Sequence, residues 1–273
     1  IEGTPAFDAG IKARDKILSI DNISTEGMNI EDAVKLIRGK RGTKVKLEIL
    51  RGSKSFFKIL SREKIEIKSV SSKVNQTKNG LLIGYVRIKQ FNANASKETR
   101  DAIKDLETKK VAGYVLDLRS NPGGLLESSI DISRHFINKG VIVSTVSKDG
   151  LKETKKGNGQ ALTKKPLVVL VNEGSASASE IVSGAIKDNK RGKLVGKKTF
   201  GKGLVQSMRT LVDGSGLTVT VAKYLTPNGT DINKSGIIPD IEVKMNINPI
   251  LQREIGTRKD KQYKAGEKEL INI

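Results

Sequence analysis

The 273-residue chain has no cysteine, no tryptophan and a single histidine, His135. Without thiols it has no disulfides, no thiolate metal site and no cysteine nucleophile. One histidine cannot build a multi-histidine metal centre, and it serves a Ser–His–Asp triad only if His135 reaches the nucleophile. No apolar run approaches the roughly 18–20 residues of a membrane-spanning helix. Aromatic residues make up 4% of the chain. What is abundant is positive charge: 50 Lys and Arg against 30 Asp and Glu, a net charge of +20. Only 13 of the 50 cations are Arg, and no run of five or more lysines occurs. Nucleic-acid readout favours the planar arginine fork and stacking aromatics, so no nucleic-acid partner is expected. A solvated, lysine-biased surface is the plainer reading, and it leaves association with an anionic membrane surface open.

Residues 1–10 read as a short turn or helix. Lys16 to Ile20 alternates as a strand, with Asp21-Asn22 as its turn. Asn29 caps a helix over Ile30 to Ile37, where Ile30, Ala33, Val34 and Ile37 recur at i, i+3, i+4 and i+7. Val45 to Ile49 and Phe56 to Leu60 complete a compact unit of about 60 residues. A polar, Lys- and Ser-rich stretch follows, and then the pattern becomes α/β. Strands are expected at Leu82 to Ile88, Tyr114 to Leu118, Val141 to Val146 and Leu167 to Val171. Helices are expected from Ser96 (as cap) to Leu106, from Leu125 to Asn138 and from Ala178 to Ile186. Strands alternating with helices imply a largely parallel or mixed sheet, whose working loops lie at the carboxyl ends of its strands. From Asn246 onward the chain is charged and weakly patterned.

Three loops carry candidate chemistry. Asp117-Leu118-Arg119-Ser120-Asn121-Pro122-Gly123-Gly124 leaves a buried strand and enters a helix. Its glycines let backbone N–H groups approach a ligand, or simply serve a tight turn. Glu173-Gly174-Ser175-Ala176-Ser177-Ala178-Ser179-Glu180 also runs from a strand into a helix. Ser177 with Glu180 fits a capping box. The sharper reading makes Ser175, Ser177 or Ser179 a nucleophile at a helix N-terminus, where free N–H groups favour a developing oxyanion. Thr199-Phe200-Gly201-Lys202-Gly203 places a lysine between glycines, ordinarily an exposed turn. With thiols absent and His135 in a helix beside Arg134, the remaining base for a serine is a lysine with a lowered pKa.

Taken together these loops resemble the carboxyl-terminal processing, or tail-specific, proteases of the Ser–Lys type. A fourth segment, Tyr224-Leu225-Thr226-Pro227-Asn228-Gly229 followed by Gly236-Ile237-Ile238-Pro239-Asp240, continues the match. Upstream, Gly3-Thr4-Pro5-Ala6, Asp15 to Asp21 and Ile37-Arg38-Gly39 look like the PDZ domain that precedes this protease core. The resemblance covers about residues 1 to 245. It implies an α/β (mixed α+β) fold, a partial PDZ domain followed by a ClpP/crotonase-like serine protease core. Ser177 would be the nucleophile, Lys202 the general base and Gln206 its orienting partner, with the backbone N–H groups of Gly123 and Ala178 as oxyanion hole. No metal or cofactor is implied. Ser175 and Ser179 would be structural.

The expected organisation is a PDZ unit over 1–62, a connector over 63–80, the protease core over 81–245 and a C-terminal tail segment over 246–273. The family's Gly-rich carboxylate-binding loop lies upstream of Gly3, so the PDZ unit is expected to lack that loop and its first strand. Since this unit gates substrate access in the family, its incompleteness is expected to limit activity even with the catalytic groups present. The family's Pro-Gly is replaced by Ala13-Arg14. The implied substrates are protein or peptide C-terminal tails, in a periplasm or thylakoid lumen. Two other readings stay open: a non-catalytic tail-binding protein, and an acyl-transfer enzyme holding a thioester oxyanion at Gly123 and Gly124.

Overall fold

The computed structural model describes residues 4–65, 68–245 and 254–272, and the chain divides into two compact units, residues 1–67 and 68–273.

The first unit holds α1 (Pro5–Asp8), β1 (Lys16–Ile20), β2 (Ile23–Ser24), α2 (Ile30–Ile37), β3 (Lys44–Arg51) and β4 (Lys54–Ser61). The strands form an antiparallel sheet in the order β2-β1-β3-β4. Alternation in β3 sends Val45, Leu47 and Ile49 into a core with Ile20 and Leu60. The sequence places β1 and α2 to the residue, because each has a clear period and a clear end. Asp21 and Asn22 take positive φ at the turn, and the Asn29 side chain accepts the Asp32 N–H at 2.9 Å. Arg14, where the family pattern has glycine, sits at φ 72°. The turn keeps its left-handed conformation and a side chain bears it.

The second unit continues with β5 (Val70–Gln76), β6 (Leu82–Ile88), α3 (Ala95–Thr108), β7 (Gly113–Asp117), α4 (Leu126–Phe136), β8 (Val141–Ser147), β9 (Lys152–Lys156), β10 (Leu167–Val171), α5 (Ala178–Asp188), β11 (Lys193–Gly196), β12 (Leu204–Thr210), β13 (Gly216–Leu225), β14 (Ile241–Glu242) and α6 (Lys261–Asn272). Six strands form one sheet in the order β14-β11-β10-β7-β6-β5, parallel except for β5 at its edge. A second, antiparallel sheet runs β12-β13-β8-β9.

The central strand β10 reads Leu-Val-Val-Leu-Val and is buried throughout, because the main sheet is covered on both faces. Leu167, Val169 and Val171 pack into the core shared with α3, α4 and α5, which supply Ile103, Ile130 and Val182. Val168 and Leu170 point the other way, toward Tyr263 and Leu270 of α6.

Three particulars depart from the sequence reading. The stretch read as connector contains β5, which pairs with β6 along its whole length. Being a one-sided edge strand, it needs few apolar residues. Helix α3 starts at Ala95 after Asn94 rather than being capped by Ser96, which is buried and meets His135 instead. The region read as a C-terminal tail carries α6, docked on the sheet.

Strands β7, β10 and β11 are neighbours and run the same way, so their carboxyl ends lie side by side. The three chemistry-bearing loops leave from those three ends.

Candidate active site

The loop after β10 enters α5 through Ser177, whose backbone is held at φ 54°, ψ −114°. A non-glycine residue in this region is strained, and such strain is kept where the surroundings over-determine it. Those surroundings are visible. Ser175 Oγ donates to Leu118 O at 2.8 Å and Ser179 Oγ to Asn121 O at 2.9 Å, both hydroxyls being buried. The two outer serines therefore stitch this turn to the loop after β7. Of the three, Ser177 is the one that lines a cavity of about 320 Å³ together with Pro122, Gly124, Lys202, Gln206 and Tyr224.

The opposite loop closes in from β7. A Cβ added to Gly123, which sits at φ 104°, would lie 2.8 Å from the Ser177 Cβ and 3.0 Å from the Ala178 nitrogen. No side chain fits between the two turns. Asn121 braces the glycine turn from within: its Nδ2 donates to Ile88 O at 2.8 Å and its Oδ1 accepts the Gly123 N–H at 2.9 Å. The Ala178 N–H, first of α5, has no acceptor among the described residues.

Glu180 joins the serine turn to the lysine loop. It is fully buried. Its Oε2 accepts the N–H of Ser177 at 2.9 Å and of Lys202 at 2.8 Å, and its Oε1 accepts the Gly201 N–H at 2.7 Å and the Thr199 hydroxyl at 2.6 Å. Thr199 Oγ1 in turn accepts the Ile237 N–H at 2.7 Å. The capping-box reading found one of these four bonds. The other three come from a loop about twenty residues away, and no local spacing announces them. Tyr224, from the fourth matching segment, donates its hydroxyl to the carbonyls of Lys202 and Ser177. Burial and the Glu180 charge push that phenol well above its usual range, so it stays a neutral donor.

Lys202, Leu204, Val205 and Gln206 line the cavity's other wall. A bulge between Val205 and Gln206 breaks the strict alternation expected of an extended segment, yet both Lys202 and Gln206 reach the cavity. The Lys202 side chain is exposed. Among the described residues no hydrogen bond joins the Ser177 hydroxyl, the Lys202 ammonium and the Gln206 amide. His135 lies on α4 with Nε2 against Ser96 O at 3.0 Å. It does not line the cavity, and burial lowers its pKa.

In the first unit, a separate apolar cavity of about 480 Å³ is lined by Pro5, Ala6, Ile37, Val45, Leu60 and Ile65.

The profile of peptidase family S41 matches residues 82–243, and that of the PDZ domain matches residues 1–51. A carboxyl-terminal-processing protease of Synechocystis sp. is 46% identical over 97% of this chain and 62% of its own length. The carboxy-terminal processing protease CtpA of Bacillus subtilis is 42% identical over 98% of this chain and 56% of its own. The chain thus spans less than two thirds of these relatives. Among solved structures, a photosystem II D1 C-terminal processing protease superposes with a TM-score of 0.61 at 38% identity, covering 89% of this chain and 66% of that one. A putative S41 protease from Bacteroides fragilis reaches 0.66 at 18% identity, covering 100% and 76%, a likeness of fold.

Proposed function

The chain belongs to peptidase family S41, and on that premise we propose that it is a serine endopeptidase cleaving proteins near their C-termini by a Ser–Lys mechanism. The observation that carries this reading is the single cavity lined by Ser177, Lys202 and Gln206, with the Gly123 turn packed against the Ser177 backbone.

Ser177 is the nucleophile. Lys202, entering as the free amine, takes the hydroxyl proton as Oγ attacks the scissile carbonyl carbon, and Gln206 orients the amine. The N–H groups of Gly123 and Ala178 hold the oxyanion, aided by the positive end of α5. The Lys202 ammonium then protonates the leaving amine, and water hydrolyses the acyl-enzyme by the same steps in reverse order. Two movements bring the present arrangement to this geometry. The Lys202 side chain swings in to Ser177, and the Gly123 N–H turns from Asn121 Oδ1 toward the substrate. The PDZ unit receives the substrate's tail and governs access, its apolar cavity being suited to apolar tail residues. Among the processing proteases that resemble the chain, one is named for the D1 protein of photosystem II. Protein tails in a thylakoid lumen or a periplasm are the substrates and setting this reading implies.

Cleavage of an apolar-tailed peptide should be abolished by Ser177→Ala and by Lys202→Ala, with the far-UV circular dichroism of both variants unchanged. Full activity in both would overturn the assignment. The exposed Lys202 favours a second reading, a tail-binding protein on the same fold. That protein would bind the peptide without turnover, and Lys202→Ala would leave its affinity unaltered.

A further inference from the structure

Arg119 lies four residues before Gly123, and its guanidinium is almost fully enclosed. Its Nε and Nη2 donate to the two Asp117 oxygens at 2.9 and 2.6 Å. Its Nη1 and Nη2 donate to the Asp260 oxygens at 3.0 and 2.6 Å, and Nη1 also reaches Gln262 Oε1 at 2.9 Å. The side chains of Arg119, Asp117 and Asp260 are 2%, 0% and 1% exposed. Tyr85 completes the set, donating to Asp117 at 2.6 Å. Burial would push the Asp117 carboxyl up, but the guanidinium outweighs it and the group lies below its usual range. Asp260 has a second task. It accepts the N–H groups of Gln262 and Tyr263 at 3.1 Å as the cap of α6, and that of Gly256 at 3.0 Å.

A buried ion cluster is a poor source of stability, since desolvation consumes most of what the pairing returns. Its placement suggests another use. Leu118 is anchored in the core with α3 to α5, Arg119 is anchored on the α6 side, and Ser120 N–H is held by Asn172 Oδ1 at 2.8 Å. The turn carrying Gly123 starts from these three fixed points.

We propose that Arg119 and Asp260 are positioning residues for the reaction: docking of segment 254–272 fixes Arg119, and Arg119 fixes the turn that presents the Gly123 N–H. This rests on the oxyanion role given to Gly123 above. The C-terminal segment is then part of the catalytic apparatus without touching substrate.

The test compares the full chain with Asp260→Ser, which keeps an oxygen to cap α6 but is too short to hold Arg119. Peptide-cleavage kinetics and amide hydrogen exchange are read together. The expected result is a kcat lower by about 10- to 100-fold with KM within twofold. Exchange should be faster in residues 118–125 and unchanged in α6. Wild-type kcat with unchanged exchange in 118–125 would overturn the coupling. So would a loss of kcat accompanied by faster exchange throughout α6, which is what a purely structural role predicts. Should Asp260→Ser fail to fold, the isosteric Asp260→Asn is read in its place by the same criteria. A wild-type chain that cleaves nothing removes the kinetic arm, and the exchange arm then decides the coupling alone: faster exchange in 118–125 with α6 unchanged supports it, and unchanged exchange in 118–125 overturns it.

Discussion

Glu180 shows how little of a site can be local. Its four hydrogen bonds hold the Ser177 backbone and the Gly201–Lys202 backbone to one carboxylate, so the relative position of serine and lysine depends on it. Glu180→Gln keeps the shape but puts an NH2 where two donors already point. Losing charge-assisted bonds and opposing donors in a buried setting should cost about 3 kcal/mol of stability. Turnover should fall further than substrate affinity. Urea unfolding and the separate response of kcat and KM measure the two effects. The runs that carry Ser177, Lys202 and Gly123 stand out in the sequence by their unusual composition, while the choice of Ser177 among three serines comes from the resemblance alone. Thr199 and Tyr224 lay inside the matching segments, but nothing in their spacing assigned them a partner. Their contacts are made across the fold.

Among the elements, those read correctly have a period and a boundary of their own. Strand β10 is apolar throughout, and α2 has a capping asparagine and a clean apolar stripe. The ones the sequence hid have neither. Strands β12 and β13 are largely exposed, so threonine and serine serve there as well as valine. Helix α6 carries Tyr263, Gly266, Glu267 and Leu270 on its buried face among lysines and glutamates. A Cβ at Gly266 would stand 3.0 Å from Val168 and 3.2 Å from Leu170, so glycine sits mid-helix to let α6 lie close against β10. Tyr263 fills the space beside it, edge-on to Tyr85 at 5.8 Å between centroids. Tyr263→Ala should destabilise the chain by about 3 kcal/mol, seen as a lower urea midpoint with α6 amides exchanging first.

For the molecule as a whole, the +20 charge says less than the pairing of the carboxylates. Asp15 is bonded by Arg51 at 2.6 and 2.7 Å, which with the Lys12 N–H lowers its pKa to about 2. A carboxylate more acidic when folded than its unfolded value of 3.8 stabilises the protein above that value. Its contribution is lost as pH falls toward 2. His135 acts earlier. Burial lowers its pKa from 6.5, so below about that pH the unfolded chain takes up the proton first and stability declines. Stability measured by urea unfolding should therefore fall in two stages as pH drops from 8 to 2. Asp15→Asn should flatten the lower stage and His135→Gln the upper.

The three loops of the candidate site issue from β7, β10 and β11, adjacent members of one parallel sheet. Neighbouring strands are held about 4.8 Å apart by their hydrogen bonds, so the sheet acts as a ruler for the loops that spring from it. The coarse separation of the candidate groups is therefore a property of peptide geometry, the same for any side chains the strands carry. Loop sequence sets only the fine adjustment. Such a site can drift widely in its surroundings and still bring serine, lysine and glycine turn to one place.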